Sequence, residues 1–153
     1  MICKRAQELI QKLELEPHPE GGYFKEVYRS DLKVESSAVG ATRAAVTEIY
    51  FLLCRGQLSR FHRVEHDEFW HVFEGASLRL IDSDLNESQE ILLGAEQLHY
   101  QHCIRGGRWQ AAETTGDYTL VGCTVAPGFD FSDFRFLSKA ESARFEESYQ
   151  RFI

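Results

Sequence analysis

Hydrophobic and polar residues alternate over most of this chain, and a period of two is typical of β-strands with one buried face. Two runs, at 46–54 and 118–125, are especially rich in β-branched and aromatic residues. Glycine, proline and aspartate residues, which favour turns, separate the runs. The predicted strands span 23–29, 46–54, a segment carrying His62, a segment carrying Glu68 and Trp70, 76–82, 88–93, 98–104, 108–113 and 118–125. The strands at 98–104 and 108–113 are expected to pair as a hairpin around Arg105, Gly106 and Gly107.

Helical periodicity is confined to the two ends of the chain. Residues 3–13 place Ala6, Leu9 and Leu13 on one face, which predicts a short amphipathic helix. Ser138, followed three residues later by Glu141, has the spacing of a capping box and predicts a terminal helix that continues to about residue 152. Many short strands with a helix at either end predict an all-β barrel or sandwich, a single domain over residues 1–153.

Two stretches have neither periodicity. Residues 30–45 are small and polar, and we predict a loop that could cover the mouth of the barrel. Residues 129–136 contain four phenylalanines, and we predict a hydrophobic strap across the barrel.

Composition limits the partners of the protein. Of the 153 residues, 43% are hydrophobic and 27% are charged, which indicates a globular rather than a disordered chain. The net charge of −7 and the lack of a basic run argue against nucleic acid and anionic membranes as partners. The N-terminal sequence has no apolar signal-peptide core, so we expect a cytoplasmic protein. The four cysteines are scattered, which predicts reduced, buried thiols rather than a metal or redox motif.

The stretch from Gly56 to Gly75 carries the strongest candidate chemistry. It has His62 on one predicted strand and Glu68 and Trp70 on the next, with a tight turn between them. Alternate side chains of neighbouring antiparallel strands share one face, so we expect His62 and Glu68 to point at the same spot. A histidine beside a carboxylate can act as a general base whose charge and tautomer the carboxylate sets.

The spacing in this stretch resembles the first motif of the cupin superfamily, which is glycine, five residues, His-x-His, three or four residues, glutamate, six residues, glycine. Further segments resemble one family within it, the small single-domain cupins known as DUF985 or cupin type 5. They are L-E-P-H-P-E-G-G-Y-F at 15–24, I-Y-F-L-L at 49–53, S-R-F-H-R-V-E-H-D-E-F-W-H at 59–71, G-G-R-W-Q-A-A at 106–112 and L-V-G-C-T-V-A-P-G-F-D-F at 120–131. The resemblance implies a double-stranded β-helix (a jelly-roll barrel), a pocket at one end, and pairing into homodimers.

In metal-binding cupins, the first motif supplies two histidines and a glutamate, and a second motif supplies a third histidine. Here His62 and Glu68 match, whereas Val64 and Gln110 stand at the other two ligand positions. Two protein ligands give poor support for iron, manganese or zinc, so we expect no metal and no other cofactor. The alternative is a metal-dependent, dioxygenase-like enzyme in which Gln110 or His66 completes the ligand set.

Without a metal, the resemblance points to the metal-free sugar-nucleotide epimerases of the superfamily, which use a histidine base and a tyrosine acid. His62 and Glu68 are then the catalytic residues, and Tyr23, Tyr50 and Tyr100 are candidates for the acid. The leading hypothesis is a small-molecule-binding cupin with epimerase or isomerase chemistry on a carbohydrate-like metabolite. A third hypothesis is a non-catalytic binding or scaffold protein, in which the histidine and the glutamate form a hydrogen-bonded pair that only supports the barrel.

Further residues are predicted to contact the ligand. Trp70 shares the strand parity of Glu68, and an aromatic wall with a few polar groups is typical of small-molecule pockets. Gly21 and Gly22 allow the backbone to approach a ligand or another chain closely. The predicted ligand-binding residues are Trp70, Gln110, Trp109, Tyr50, Tyr23, Glu20 and His18.

The remaining residues of the Glu68 strand, Phe69, His71 and Phe73, have the opposite parity and are expected on its outer face. An apolar outer face of this kind would suit a homodimer interface.

Overall fold

Thirteen β-strands and two short α-helices form the described part of the chain, residues 2–153 of a computed structural model. The strands are β1 (Glu16–Pro17), β2 (Tyr23–Arg29), β3 (Lys33–Ser36), β4 (Ala41–Ala44), β5 (Thr47–Cys54), β6 (Leu58–Val64), β7 (Asp67–Gly75), β8 (Leu78–Ser83), β9 (Ser88–Leu93), β10 (Gln101–Ile104), β11 (Trp109–Thr114), β12 (Tyr118–Ala126) and β13 (Phe134–Phe136). The helices are α1 (Lys4–Lys12) and α2 (Lys139–Ser142), with 3₁₀ turns at Ala95–Gln97, Phe131–Asp133 and Glu147–Phe152.

Eleven of the thirteen strands form two antiparallel sheets that pack face to face. One sheet has the order β1-β2-β5-β12-β7-β10 and the other has the order β13-β6-β11-β8-β9. Both sheets contribute alternate apolar side chains to the space between them, as expected of a sandwich closed into a barrel. The buried residues of this core are Phe51, Leu53, Trp70, Leu78, Leu80, Ile91, Leu93, Ile104, Ala112, Val121 and Cys123. The predicted fold class, a mainly β jelly roll with short helices at both termini, is confirmed.

Two tight turns carry the chain from one sheet to the other. At both turns, the strands before and after the turn do not pair with each other, contrary to the prediction from the sequence. Strands β6 and β7 are consecutive but do not pair with each other, because β6 lies between β13 and β11 whereas β7 lies between β12 and β10. Likewise, β10 and β11 do not form the predicted hairpin. The two turns pack together: the amide of Gly107 donates to the carbonyl of Val64, and the amide of Gly106 donates to Asp67 Oδ1. They therefore close one corner of the barrel.

Residues 30–45 contain an ordered hairpin, so the loop prediction is wrong. Strands β3 and β4 pair from Lys33↔Ala44 to Ser36↔Ala41. Two buried contacts attach the hairpin to the barrel: Ser36 Oγ lies 2.6 Å from His66 Nε2, and Arg43 makes two 2.7 Å bonds to the carboxylate of Asp133. Long-range contacts of this kind leave no periodic signal in the sequence, so the small polar composition alone suggested a loop.

Replacing Ser36 with alanine is expected to lower the free energy of unfolding by about 1 kcal/mol, because His66 Nε2 then loses its buried partner. The His66 Nδ1 atom already has no hydrogen-bond partner among the described residues. Amide hydrogens of β3 and β4 should exchange faster with solvent deuterium, measured by mass spectrometry. The matched control is Ser37→Ala, since Ser37 is exposed and should change stability by less than about 0.5 kcal/mol. Equal exchange in the two variants would mean that the Ser36–His66 contact does not hold the hairpin.

Both chain ends cover outer faces of the barrel. Helix α1 lies on the larger sheet, where Ala6 and Leu9 pack with Leu52 and Leu120. The capping box at Ser138 is confirmed, because its side chain accepts from the Glu141 amide and the Glu141 side chain accepts in return. The prediction of a continuous C-terminal helix is wrong.

Helix α2 ends at Ser142, and the extended backbone of Glu146 (ψ 154°) separates it from the final 3₁₀ turn. Phe145, Tyr149 and Phe152 then pack on Phe61 and Trp109 of the smaller sheet. No helix in residues 2–153 is long and apolar enough to cross a membrane. All four cysteines are free, Cys54 and Cys123 buried and the other two half-buried.

Candidate functional site

A cavity of about 400 Å³ lies at one end of the barrel, between the two sheets and the segment from Phe129 to Phe134. Its floor carries four titratable side chains that are almost fully buried, and its walls are mostly aromatic and aliphatic. The lining residues are His18, Glu20, Phe24, Glu26, Arg29, Thr47, Ile49, His62, Val64, Glu68, Cys123, Val125, Phe129, Asp130, Phe131 and Phe134. An enclosed, largely apolar cavity with a few convergent polar groups is the usual form of a small-molecule site.

His62 and Glu68 reach this floor from opposite sheets. His62 is on β6 of the smaller sheet, and Glu68 is on β7 of the larger sheet. The prediction that they point at the same spot therefore holds for a different reason: both are interior residues of facing sheets rather than neighbours on paired strands. The hydrogen-bonded His62–Glu68 pair of the scaffold hypothesis is absent among the described residues, because the partner of His62 is Glu20.

Glu20 reaches His62 through a glycine turn that lies directly on β6. The backbone amide of Arg60 donates to the carbonyl of Glu20 at 2.9 Å. Gly21 has φ +114°, and a Cβ atom there would overlap the carbonyl oxygen of Leu58. Only glycine tolerates both the positive φ and the close approach. The turn therefore fixes the Glu20 carboxylate beside the imidazole, where Glu20 Oε2 lies 2.8 Å from His62 Nε2.

The hydrogen bonds of His62 define its protonation state. Its Nδ1 atom lies 2.8 Å from the carbonyl oxygen of Arg60, which only accepts, so Nδ1 carries a proton. At least one further proton lies between Nε2 and Glu20. Burial opposes the charged imidazole, but the charge and hydrogen bond of Glu20 outweigh burial and raise the pKa of His62. Burial likewise opposes the carboxylate, yet His62 lowers the pKa of Glu20. Both shifts favour the ion pair of an imidazolium and a carboxylate.

Glu68 has the opposite electrostatic character. Burial at the cavity floor raises its pKa from 4.5 to about 7, although the charge of His62 works against the shift. A relay of side chains holds the carboxyl group: the indole of Trp70 donates to Gln110 Oε1 at 2.7 Å, and the amide of Gln110 donates to Glu68. Gln110 therefore fixes the orientation of the Glu68 carboxyl group, and this group can gain or lose a proton near neutral pH.

His18 completes the floor as a neutral imidazole. Its Nδ1 atom accepts a hydrogen bond from the backbone amide of Glu20 at 3.1 Å, so that nitrogen carries no proton. Burial lowers the pKa of His18, which agrees with the neutral form. The rings of Phe24 and His18 pack edge to face, with their centroids 4.5 Å apart. The ring of Phe134 stacks on the ring of His62, with their centroids 5.3 Å apart.

Only some of the predicted site residues line the cavity. His62, Glu68, Glu20 and His18 are brought together at its floor. Trp70 and Gln110 are buried beneath it and orient Glu68 without lining the cavity wall. Trp109 lies on the other face of the smaller sheet, packed against the C-terminal segment, because it has the opposite parity to Gln110 on β11.

The tyrosines predicted as the acid lie elsewhere. Tyr23 and Tyr50 pack under α1 on the outer face of the larger sheet, and Tyr100 is 52% exposed. Strand parity explains the error, since the neighbours Phe24 and Ile49 occupy the inward positions. Among the cavity-lining residues in the described part of the chain there is no tyrosine, so a histidine–tyrosine pair does not account for this site.

Several cavity residues were not predicted from the sequence. Cys123 and Val125 pair directly with Trp70 and Glu68 across β12 and β7, so strand alternation could have identified them. Phe131 and Phe134 were predicted only as a strap, whereas they form part of the cavity wall. Their role had no local signal because the strap residues meet His18 and His62 only through tertiary packing.

The residues present do not fit the transition-metal site of cupins. His62 uses both ring nitrogens in hydrogen bonds, and the Gln110 oxygen accepts from Trp70. His66 bonds to Ser36 and lies 3.9 Å from Asp133, outside the cavity. Within residues 2–153, no three His, Cys, Asp or Glu side chains converge as a metal site. Neither Gln110 nor His66 therefore completes a ligand set with His62 and Glu68.

Phe69 and Phe73 lie on the outer face of β7, as strand alternation predicts. Phe69 and Phe73 are 42% and 53% exposed, and Phe69 stacks on His71. Pairing through this face stays a prediction.

Comparisons with known proteins agree with this fold. A family model described as cupin superfamily (DUF985) matches residues 7–137. The structure of a hypothetical protein from Leishmania major is 32% identical with a TM-score of 0.84, and the match covers 97% of this chain and 96% of that one. A Shewanella oneidensis protein is also 32% identical, with a TM-score of 0.83 and coverage of 95% and 92%. An uncharacterized Saccharomyces cerevisiae protein is 29% identical, covering 86% of this chain and 74% of its own.

Proposed function

Because the chain belongs to the DUF985 family of the cupin superfamily, we propose that its cavity binds a small metabolite and transfers protons on it. The reaction is of the epimerase or isomerase type, on a carbohydrate-like compound with an acidic C–H bond. One observation carries the proposal: two separate proton-holding groups, the His62–Glu20 pair and the Glu68 carboxyl, lie in one largely apolar cavity.

Glu68 is the base in this proposal. A general base is most effective when its pKa lies near the working pH, and burial raises the pKa of Glu68 to about 7. The carboxylate takes a proton from a substrate carbon, and the electron pair of the C–H bond passes to an adjacent carbonyl group. This assignment replaces the histidine base expected from the sequence.

The His62–Glu20 pair supplies the returning proton. Since His62 already holds a proton at Nδ1 and shares another with Glu20, it donates more readily than it accepts. Return of a proton to the carbon yields the isomer, and proton exchange with solvent restores the starting states of Glu68 and the pair. Two groups whose surroundings push their pKa values apart are typical of paired acid–base sites. Val64, Val125 and Phe134 keep this part of the cavity apolar, which strengthens electrostatic interactions there.

Deuterium exchange tests the proposal across a range of candidate substrates. The protein is incubated in D₂O with a panel of aldoses and ketoses, some neutral, some amino-substituted and some phosphorylated, and C–H loss is followed by NMR. We expect at least one compound to exchange a C–H hydrogen with the wild-type protein and not with Glu68→Gln, which lacks the base. Phe73→Leu, a change on the outer face of β7, serves as the control and should exchange like wild type.

Two outcomes would contradict proton-transfer catalysis. Binding of panel members without any exchange would support the non-catalytic binding hypothesis. Exchange that disappears after treatment with a chelator, and returns with a transition metal, would support the metal-dependent hypothesis instead.

A further inference from the structure

Two acidic side chains of the cavity have no cationic partner among the described residues, and this excess of negative charge indicates which charge the ligand carries. Four acidic residues line the cavity, namely Glu20, Glu26, Glu68 and Asp130. Glu20 pairs with His62, and Glu26 pairs with Arg29 at 2.6 Å. Glu68, at the floor, and Asp130, in the strap, form no ion pair within residues 2–153.

The positive groups of the cavity are already occupied. Arg29, besides its bond to Glu26, donates to the backbone carbonyl of Phe129 at 3.0 Å. The imidazolium of His62 donates to Arg60 and Glu20, and His18 is neutral because its Nδ1 accepts from a backbone amide. An anionic ligand would therefore meet two carboxyl groups without an ion-pair partner, whereas Arg29 and His62 already have acidic partners, so like-charge repulsion disfavours an anion.

The remaining wall of the cavity favours a cation. Phe129, Phe131 and Phe134 form a cluster with ring centroids 4.9–6.1 Å apart, and all three line the cavity. His18 and Phe24 extend this aromatic wall toward the floor. Aromatic faces attract ammonium groups, most strongly where the contact excludes water.

We infer that the ligand of this cavity carries a positive charge, as a protonated amine or a quaternary ammonium group, held between the aromatic strap and the unpaired carboxylates. The inference rests on the proposed function and narrows its substrate class to amine-bearing metabolites. It disfavours phosphorylated and carboxylated compounds, including the sugar nucleotides suggested by the resemblance to metal-free epimerases.

The test uses three small probes of nearly equal shape. Choline is a cation, 3,3-dimethylbutan-1-ol is its neutral isostere, and 3,3-dimethylbutanoate is an anion at neutral pH. Each is titrated into the 153-residue protein and followed by amide chemical shifts in NMR spectra. We expect choline to bind about tenfold more tightly than the alcohol, since the attraction of one carboxylate and one or two rings amounts to roughly 1.4 kcal/mol. The carboxylate should bind most weakly.

Two variants locate the effect. Phe131→Leu removes an aromatic wall and should weaken choline binding about threefold or more while changing alcohol binding little. Its control is Phe73→Leu, because the two rings are similarly exposed, at 55% and 53%, but only Phe131 lines the cavity. Asp130→Asn keeps an acceptor for Ser132, whose amide bonds to Asp130 Oδ1, and removes the charge. It should weaken choline binding without affecting the alcohol.

The outcomes separate the inference from the proposed function. If the alcohol or the carboxylate binds as tightly as choline, the inference is wrong, while a small-molecule cavity remains. If no probe perturbs the cavity at millimolar concentrations, the inference is also wrong, and the deuterium-exchange experiment alone decides the proposed function.

Discussion

Replacing Glu20 with glutamine is expected to lower the free energy of unfolding by about 3 kcal/mol near pH 6. The glutamine has the same shape but leaves the buried imidazolium of His62 without its counter-charge. Breaking a buried ion pair by removing one partner is far more damaging than removing a surface pair. Urea denaturation followed by fluorescence of the two tryptophans measures the change.

The loss should depend on pH in a defined way. The pKa of Glu20 is lowered in the folded protein, so its stabilising contribution is present above the unfolded value of 4.5 and is lost as the pH falls through the folded value. The pKa of His62 is raised, so its contribution is present below 6.5 and is lost as the pH rises through the folded value. The difference between wild type and Glu20→Gln should therefore be largest between pH 4.5 and 6.5 and shrink toward both extremes.

Glu26 provides the matched control. It lines the same cavity but pairs with Arg29 near the surface, with both side chains about 40% exposed. Glu26→Gln should change stability by less than about 0.5 kcal/mol, since exposed pairs contribute little. A Glu20→Gln protein that is as stable as Glu26→Gln would show that Glu20 does not hold His62 in its charged form.

Replacing Glu68 with glutamine is expected to have the opposite sign and to stabilise the protein by about 3 kcal/mol under mildly alkaline conditions. Because the pKa of Glu68 is raised from 4.5 to about 7, its carboxyl contributes stability below 4.5 that is lost as the pH rises through 7. Glutamine is uncharged and avoids this loss. Thermal melts of wild type and variant should coincide below about pH 4.5, separate as the pH rises from 4.5 to 7, and differ most above pH 7.

The same substitution should abolish C–H exchange, because glutamine cannot accept the proton. Glu74 on the same strand is the control, since its bonds to Arg5 and Tyr118 lower the pKa of its carboxyl. Glu74→Gln should therefore cause a small loss of stability, not a gain, above neutrality. If Glu68→Gln were destabilising in alkaline conditions, the raised pKa and the base assignment would both be wrong.

The strands were largely predictable because alternation is a local signal. Strands β2 and β9 have the predicted bounds of 23–29 and 88–93. Which strands pair was not predictable, because a tight turn can join two strands of one sheet or pass between sheets. Thus β6 and β7 have the sequence of a hairpin, yet interior packing assigns them to facing sheets.

The candidate site was predictable only in its outline. His62 and Glu68 were found because the first cupin motif is short and continuous in sequence. The role of Glu20 was not found, because its pairing with His62 spans 42 positions and depends on the fit of a glycine turn onto β6. The tyrosines were misassigned because the inward parity of β2 and β5 belongs to Phe24 and Ile49.

The glycine turn beside β6 provides a sequence feature by which related chains can be distinguished. Since a side chain at Gly21 would overlap the Leu58 carbonyl, substitution there would push the neighbouring Glu20 away from the imidazole. Gly21 and Glu20 thus form one structural unit with His62, although only two of the three residues carry charge. A relative that retains the histidine but has a larger residue at the glycine position must balance the imidazolium differently, or hold it neutral. Glu-Gly before the second strand, read together with the histidine, therefore distinguishes chains with this ion pair from those that share only the barrel.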